Sequence, residues 1–260
     1  MAKTPGSGKS EIALVTGAAS GIGKATALRL AKRAARVGLL DVNAEGLAAT
    51  ESQIVAEGGD ARCLTADVSD ATALSHAVER FCEEASGLDT VVSCAGVVRE
   101  HPLHETSDSD WNEVISINLS GTFYLARQTI PWLLKRGGGA FVAISSDSGV
   151  YGAMGYGAYC ASKHGVIGII RCMALDYGPR GIRSNAVCPS FVETPMAEAI
   201  FARASPGARE SYRQLVPLQR FSKADEIAKV VAHLSSDDAS YTNGSVYMVD
   251  GGATAGYFVE

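Results

Sequence analysis

The sequence predicts an α/β fold: a doubly wound sheet of about seven parallel strands with helices on both faces. Three observations predict it. Short apolar runs of strand length alternate along the chain with longer segments of helical character. A glycine-rich turn, Thr16 to Gly23, joins the first run to the first helix. Polar residues of ligand-binding type recur where the runs end, the edge at which such a sheet binds ligands.

The elements follow in order. Ile12-Ala13-Leu14-Val15 is a strand apolar enough for burial on both faces. Gly17, Gly21 and Gly23 lie between it and an alanine-rich helix over Lys24 to Arg33, so backbone can approach a pyrophosphate that rests on the helix N-terminus. A structural turn is the alternative reading. Val37 to Leu40 is the second strand. Asp41 ends it 18 residues beyond Gly23, close to the spacing at which a carboxylate accepts hydrogen bonds from an adenosine ribose. A 2′-phosphate would meet like charge there, so Asp41 favours NAD over NADP; otherwise it is a turn or cap residue. Ala61 to Thr65 is the third strand. Asp67 then either accepts from an adenine amino group or, like Asp70, caps the next helix.

Leu88 to Ser93 is strand four, and Cys94-Ala95-Gly96 leaves room for a ligand across the strand ends. His101 and His104 flank Pro102 without a visible third ligand, so no metal site is expected. Trp111 to Leu134 reads as one long helix capped near Asp108 or Ser109, with Asn118 either a kink or a water holder. Ala140 to Ile144 and Ile182 to Val187 are further strands, and Ser245 to Val249 is the last. Gly178-Pro179 ends the helix that starts near Gly157, and Lys223 to Leu234 is a helix. Residues 190–218 look like a lid over a pocket; an ordinary surface insertion is the alternative.

Composition bounds the rest. The chain has 260 residues, 47% hydrophobic and 20% charged, which suits a large core. Residues 11–260 read as one domain and residues 1–10 as a flexible tail. In that tail Gly8-Lys9-Ser10 imitates a phosphate-binding loop, but Lys3 stands where that loop needs glycine. A net charge of −5 gives no reason to expect nucleic acid or an anionic membrane as partner. No apolar run approaches a bilayer span, and no apolar signal segment opens the chain. Six cysteines without a Cys-x-x-Cys pair suggest reduced thiols and a cytoplasmic protein.

The chemistry centres on Ser146 to Lys163. Of nine tyrosines only Tyr159 has lysine four residues on, Lys163, which places the two one helical turn apart on one face. Such a pair is often only a surface feature. As a functional pair, the ammonium lowers the phenol from its ordinary value near 10. Ser146 ends an apolar run 13 residues upstream, so its hydroxyl can reach the phenol. A hydroxyl that holds a carbonyl, a tunable acid/base and a cation form a proton-transfer set.

Taken together, TGAASGIG (16–23), Asp41, ADV (66–68), SCAG (93–96), INL (117–119), ISS (144–146), YCASK (159–163), NAVCPS (185–190) and VDGG (249–252) make the chain resemble the short-chain dehydrogenases/reductases from about Glu11 to Gly252. The resemblance implies a Rossmann fold. It implies Tyr159 as general acid/base, Lys163 as the cation that lowers its pKa and binds the nicotinamide ribose, and Ser146 as the holder of the substrate oxygen. Asn118 would hold a water that links Lys163 to solvent. Gly17, Ser20, Gly21, Ile22, Gly23, Asp41, Asp67, Val68, Ala95, Gly96, Pro189, Val192 and Thr194 would bind the cofactor together with Tyr159 and Lys163. Two departures stand out: Ser93-Cys94 replaces the usual Asn-Asn, and Ser190 follows Pro189 where glycine is usual.

The expected activity is therefore NAD-dependent oxidoreduction of a secondary alcohol or its ketone. Tyr151, Met154, Tyr156 and Phe191 suggest a partly apolar substrate pocket, while Asp147, Ser148 and Glu193 either select hydroxyl groups or are solvated, and Ser190 either narrows the pocket or adds a hydrogen bond. One rival is an NADPH-dependent 3-oxoacyl reductase, against which Asp41 argues; another is an NAD-binding sensor without turnover. The resemblance also implies a homotetramer or homodimer that shares the helices at 111–135 and 157–178 and the last strand.

Overall fold

In the computed structural model, residues 11–256 are described; the expected tail at 1–10 lies outside them. Seven strands form one parallel sheet: β1 (Ile12–Thr16), β2 (Arg36–Asp41), β3 (Ala61–Thr65), β4 (Thr90–Ser93), β5 (Gly139–Ile144), β6 (Ile182–Pro189) and β9 (Val246–Val249), in the order β3-β2-β1-β4-β5-β6-β9. Two short strands, β7 (Val192–Glu193) and β8 (Ser222–Lys223), pair apart from it. The strand order reverses between β1 and β4, so the chain leaves their carboxyl ends in opposite directions and opens a crevice there.

Two core layers sandwich the sheet. The helices α1 (Gly21–Leu30), α2 (Ala44–Ala56) and α9 (Ala224–Ser235) cover one face, contributing Leu30, Leu47 and Val231. The helices α3 (Ala71–Glu84), α5 (Gly121–Arg136) and α6 (Gly157–Tyr177) cover the other, contributing Phe81, Leu125 and Ile170. Every residue of β1 is buried, as its unbroken apolar run requires. Asp70 caps α3 by accepting from the N–H groups of Thr72 and Ala73.

The expected helix over 111–134 is present, running continuously from Asp108 to Arg136 with a widened turn inside it. Its first part is α4 (Asp108–Val114), capped by Ser107 rather than by Asp108 or Ser109. A π-helical turn over Ile115–Ser120 separates it from α5. Asn118 is at the centre of that turn and fully buried. Its amide donates to the Val97 carbonyl at 2.9 Å and to Ser162 Oγ at 3.1 Å, and its Oδ1 accepts from the Val97 N–H at 2.8 Å. These bonds to two distant segments favour the widened turn over a regular helix. Beyond β7 come two short helices, α7 (Pro195–Phe201) and α8 (Ala208–Gln214), within the stretch expected as a lid or a surface helical insertion.

Candidate active site

A cavity of about 960 Å³ opens at the carboxyl edge of the sheet, large enough for a dinucleotide portion and a small substrate together. Every residue expected to bind cofactor lines it, as do Ser146, Tyr159, Lys163 and all the expected substrate-pocket residues but Glu193. Asn118 does not; it lies behind the wall. Glu193 is exposed on β7 and outside the lining.

At one end stands the glycine loop. Gly17 has φ +68°, and a Cβ there would come within 2.9 Å of the Ala95 nitrogen. A Cβ on Gly23 would come within 2.1 Å of the Gly17 carbonyl oxygen. The loop thus closes tightly on β4 and on itself, and only glycine permits it. Ser20 makes no side-chain cap, which leaves the first turn of α1 open to an anionic group. Asp41 accepts from the N–H groups of Ala19 (3.2 Å) and Asn43 (3.0 Å), so its carboxylate joins β2 to the loop. Asp67 is likewise held, accepting from the N–H of Ser69 at 2.8 Å. A phosphate-compatible helix end beside an acceptor suited to ribose hydroxyls fits a nicotinamide dinucleotide. Among the described lining residues Lys163 is the only cation.

At the other end, Ser146, the residue that follows Ser145 beyond β5, donates to Asp147 Oδ1 at 2.8 Å and accepts from the Ser148 N–H at 3.2 Å. Its hydroxyl acts on the Tyr159 phenol, favouring the ionised form. The Lys163 ammonium lies 5.6 Å from the Tyr159 ring centre and donates to the Ile144 carbonyl at 2.9 Å. Gly96 leaves room beside it, since a Cβ there would be 3.6 Å from Nζ.

The electrostatics differ from the sequence expectation. Burial pushes the Tyr159 phenol up rather than down, with the Ser146 hydrogen bond opposing and the Asp147 charge adding to the rise. Burial also draws Lys163 down to about 8. Burial makes both charged forms costly, so proximity of the ammonium alone does not make a phenolate.

Four further residues line the cavity, of which Cys94 and Glu100 fall in stretches expected to border the site. Glu100 accepts a 2.9 Å hydrogen bond from the Tyr156 hydroxyl and lines the cavity. Cys94 lines it as well, its thiol pushed up to about 12 by burial. Ala253 and Gly256 close it from the C-terminal segment. Of the four, only Ala253 and Gly256 escape sequence reasoning, because neither carries a local signal. Phe191 stacks with Phe201 and packs against Tyr212 and Phe221, which fixes α7 and α8 beside the opening.

Comparison with known proteins agrees with this architecture. A family profile described as enoyl-(acyl carrier protein) reductase matches residues 17–254. The chain is 39% identical over 245 residues to a D-threitol dehydrogenase of Mycolicibacterium smegmatis, covering 94% of this chain and 93% of that one. The chain belongs to the short-chain dehydrogenase/reductase family. It is also 38% identical over 242 residues to a 3-oxoacyl-[acyl-carrier-protein] reductase of Thermotoga maritima, covering 93% and 97% of the two. The solved structure of a levodione reductase superposes with a TM-score of 0.92 at 37% identity, over 95% of this chain and 98% of that one. As a short-chain dehydrogenase/reductase the protein is an oxidoreductase of the class that acts on alcohols and ketones. No helix among the described residues is long and apolar enough to cross a membrane.

Proposed function

We propose that the protein is an NAD(H)-dependent oxidoreductase that interconverts a secondary alcohol and its ketone. The observation that carries this reading is the meeting of Ser146, Tyr159 and Lys163 at one end of a cavity whose other end holds the glycine loop and Asp41. Ser146 holds the carbinol oxygen. Tyr159, as phenolate, takes the hydroxyl proton during oxidation and returns it during reduction. Lys163 stabilises that phenolate and holds the ribose beside it. When bound, the nicotinamide supplies the hydride acceptor or donor. Asn118 acts by position: its amide is spent on Val97 and Ser162, so a water link from Lys163 to solvent would run past that amide rather than through it.

Asp41 supports NAD, because the cavity offers a 2′-phosphate a carboxylate at this position and no arginine or second lysine among the described lining residues. The helices α7 and α8 act as the lid, and the 11–256 unit as one domain. The free cysteines suit a reducing, cytoplasmic setting. Half-exposed Trp111 and Phe123 and exposed Leu175, on α4, α5 and α6, suit burial between copies in a homotetramer or homodimer.

The second reading is an NADPH-dependent 3-oxoacyl reductase, favoured by the T. maritima relative and opposed by Asp41. A sensor without turnover would have no need of the full Asn118, Ser146, Tyr159 and Lys163 set. The test is formation of NADH from NAD across a panel of secondary alcohols. Turnover of one or more supports the reading, and turnover only of 3-oxoacyl thioesters with NADPH replaces it.

A further inference from the structure

We propose that Asp147 recognises a second hydroxyl on the carbon next to the reacting one, so that the preferred substrates are uncharged vicinal diols or the matching hydroxyketones. The inference rests on the oxidoreductase reading above and names the substrate class for the same site.

Asp147 is the immediate neighbour of Ser146, and their polar atoms, Oδ1 and Oγ, are 2.8 Å apart. A substrate oxygen held by Ser146 therefore brings the adjacent carbon's oxygen into reach of the Asp147 carboxylate. The carboxylate is held for this use. Its Oδ1 accepts from the Ser146 hydroxyl, from the Ser148 N–H at 2.6 Å and from the Ser148 hydroxyl at 3.2 Å. Burial and the nearby Asp147 charge both push the Tyr151 phenol up. Both Asp147 and Tyr151 line the cavity. An ionised carboxylate only accepts, so its natural ligand here is a donor such as an alcohol O–H, and a charge-assisted bond of that kind is stronger than a neutral one.

The surroundings narrow the class further. Besides Asp147, and apart from Asp41 at the end of β2 and Asp67 beyond β3, Glu100 lines the cavity, bound to the Tyr156 hydroxyl. The single lining cation, Lys163, is engaged with the Ile144 carbonyl beside Tyr159. A carboxylate or phosphate on the substrate would face two acids and find no free guanidinium or ammonium to receive it. Neutral hydroxyl groups meet acceptors and donors in the same walls.

The experiment compares three substrates of one carbon skeleton with NAD: a vicinal diol, the mono-alcohol that lacks the second hydroxyl, and the 2-hydroxy acid. Wild-type kcat/KM should favour the diol over the mono-alcohol by at least about tenfold, with the hydroxy acid poorest. In Asp147→Ala the diol advantage should fall to within about threefold, and in Asp147→Asn it should lie between, since a neutral acceptor forms the weaker bond. Each ratio is taken within one preparation, so loss of folded enzyme cancels. An unchanged ratio in both variants, or a wild-type preference for the mono-alcohol or the hydroxy acid, overturns the inference alone. Failure of wild type to turn over any of the three overturns it together with the secondary-alcohol reading.

Discussion

The Lys163 ammonium donates a 2.9 Å hydrogen bond to the carbonyl oxygen of Ile144, the last residue of β5. The bond ties the start of α6 to the carboxyl edge of the sheet and fixes the cation beside Tyr159. Lys163 is 4% exposed, so the charge is held at a cost. Its pKa falls from the ordinary 10.5 to about 8, equivalent to about 3 kcal/mol against the charged form.

That cost predicts a stability effect. A folded-state value below the unfolded one means the unfolded chain binds more protons between about pH 8 and 10.5, so stability from this group rises with pH through that window. Lys163→Met loses the Ile144 bond, worth about 1–2 kcal/mol, but removes the buried charge. Urea unfolding should show the variant more stable than wild type by about 1–2 kcal/mol at pH 7, with the difference shrinking by pH 9.5. A variant less stable at pH 7 would show that the charge is compensated after all.

Tyr159→Phe should lower turnover by at least about a hundredfold while NADH affinity changes less than threefold. Steady-state kinetics and a fluorescence titration on Trp111 and Trp132 separate the two. Unchanged turnover removes Tyr159 from the chemistry.

Alcohol oxidation needs the phenolate, and burial holds the Tyr159 phenol above its usual 10. The rate of oxidation should therefore climb with pH through the range from 7 to beyond 9. The Ser146 hydroxyl opposes that rise. Ser146→Ala should move the rise to still higher pH, in addition to weakening catalysis by about a hundredfold. A pH–rate profile that stays in place in the variant separates Ser146 from the titration of Tyr159.

Gly23→Ala tests the glycine loop. The added Cβ would sit 2.1 Å from the Gly17 carbonyl oxygen, so the loop must open. Overpacking of this kind costs about 1–3 kcal/mol, and NADH affinity should drop at least tenfold. Differential scanning fluorimetry with and without NADH reads both effects; an intact NADH-induced shift would show that the loop is not the cradle.

Much of the sheet is legible in the sequence because buried parallel strands leave unbroken apolar runs; β1, β3 and β5 fall within a residue of the expected limits. The helix over 111–134 is legible but its π turn is not, because local periodicity continues smoothly across Ile115 to Ser120. The π turn owes its stability to Asn118 bonds with Val97 and Ser162, 21 and 44 residues away. The rise of the Tyr159 pKa is hidden for a related reason: a sequence shows a neighbouring lysine but not how deeply both groups are buried. Glu100 pairs with Tyr156 across 56 residues, and no local pattern announces it.

The central claim joins Asp41 to the proton-transfer set in one NAD-dependent site. Its most direct test is the affinity of the protein for NADH and NADPH, read from tryptophan fluorescence, in wild type and in Asp41→Ser. The account predicts that wild type binds NADH at least about tenfold more tightly than NADPH, and that Asp41→Ser narrows the difference chiefly by losing NADH affinity. Equal or tighter binding of NADPH by wild type would contradict it and bring the 3-oxoacyl reductase reading forward.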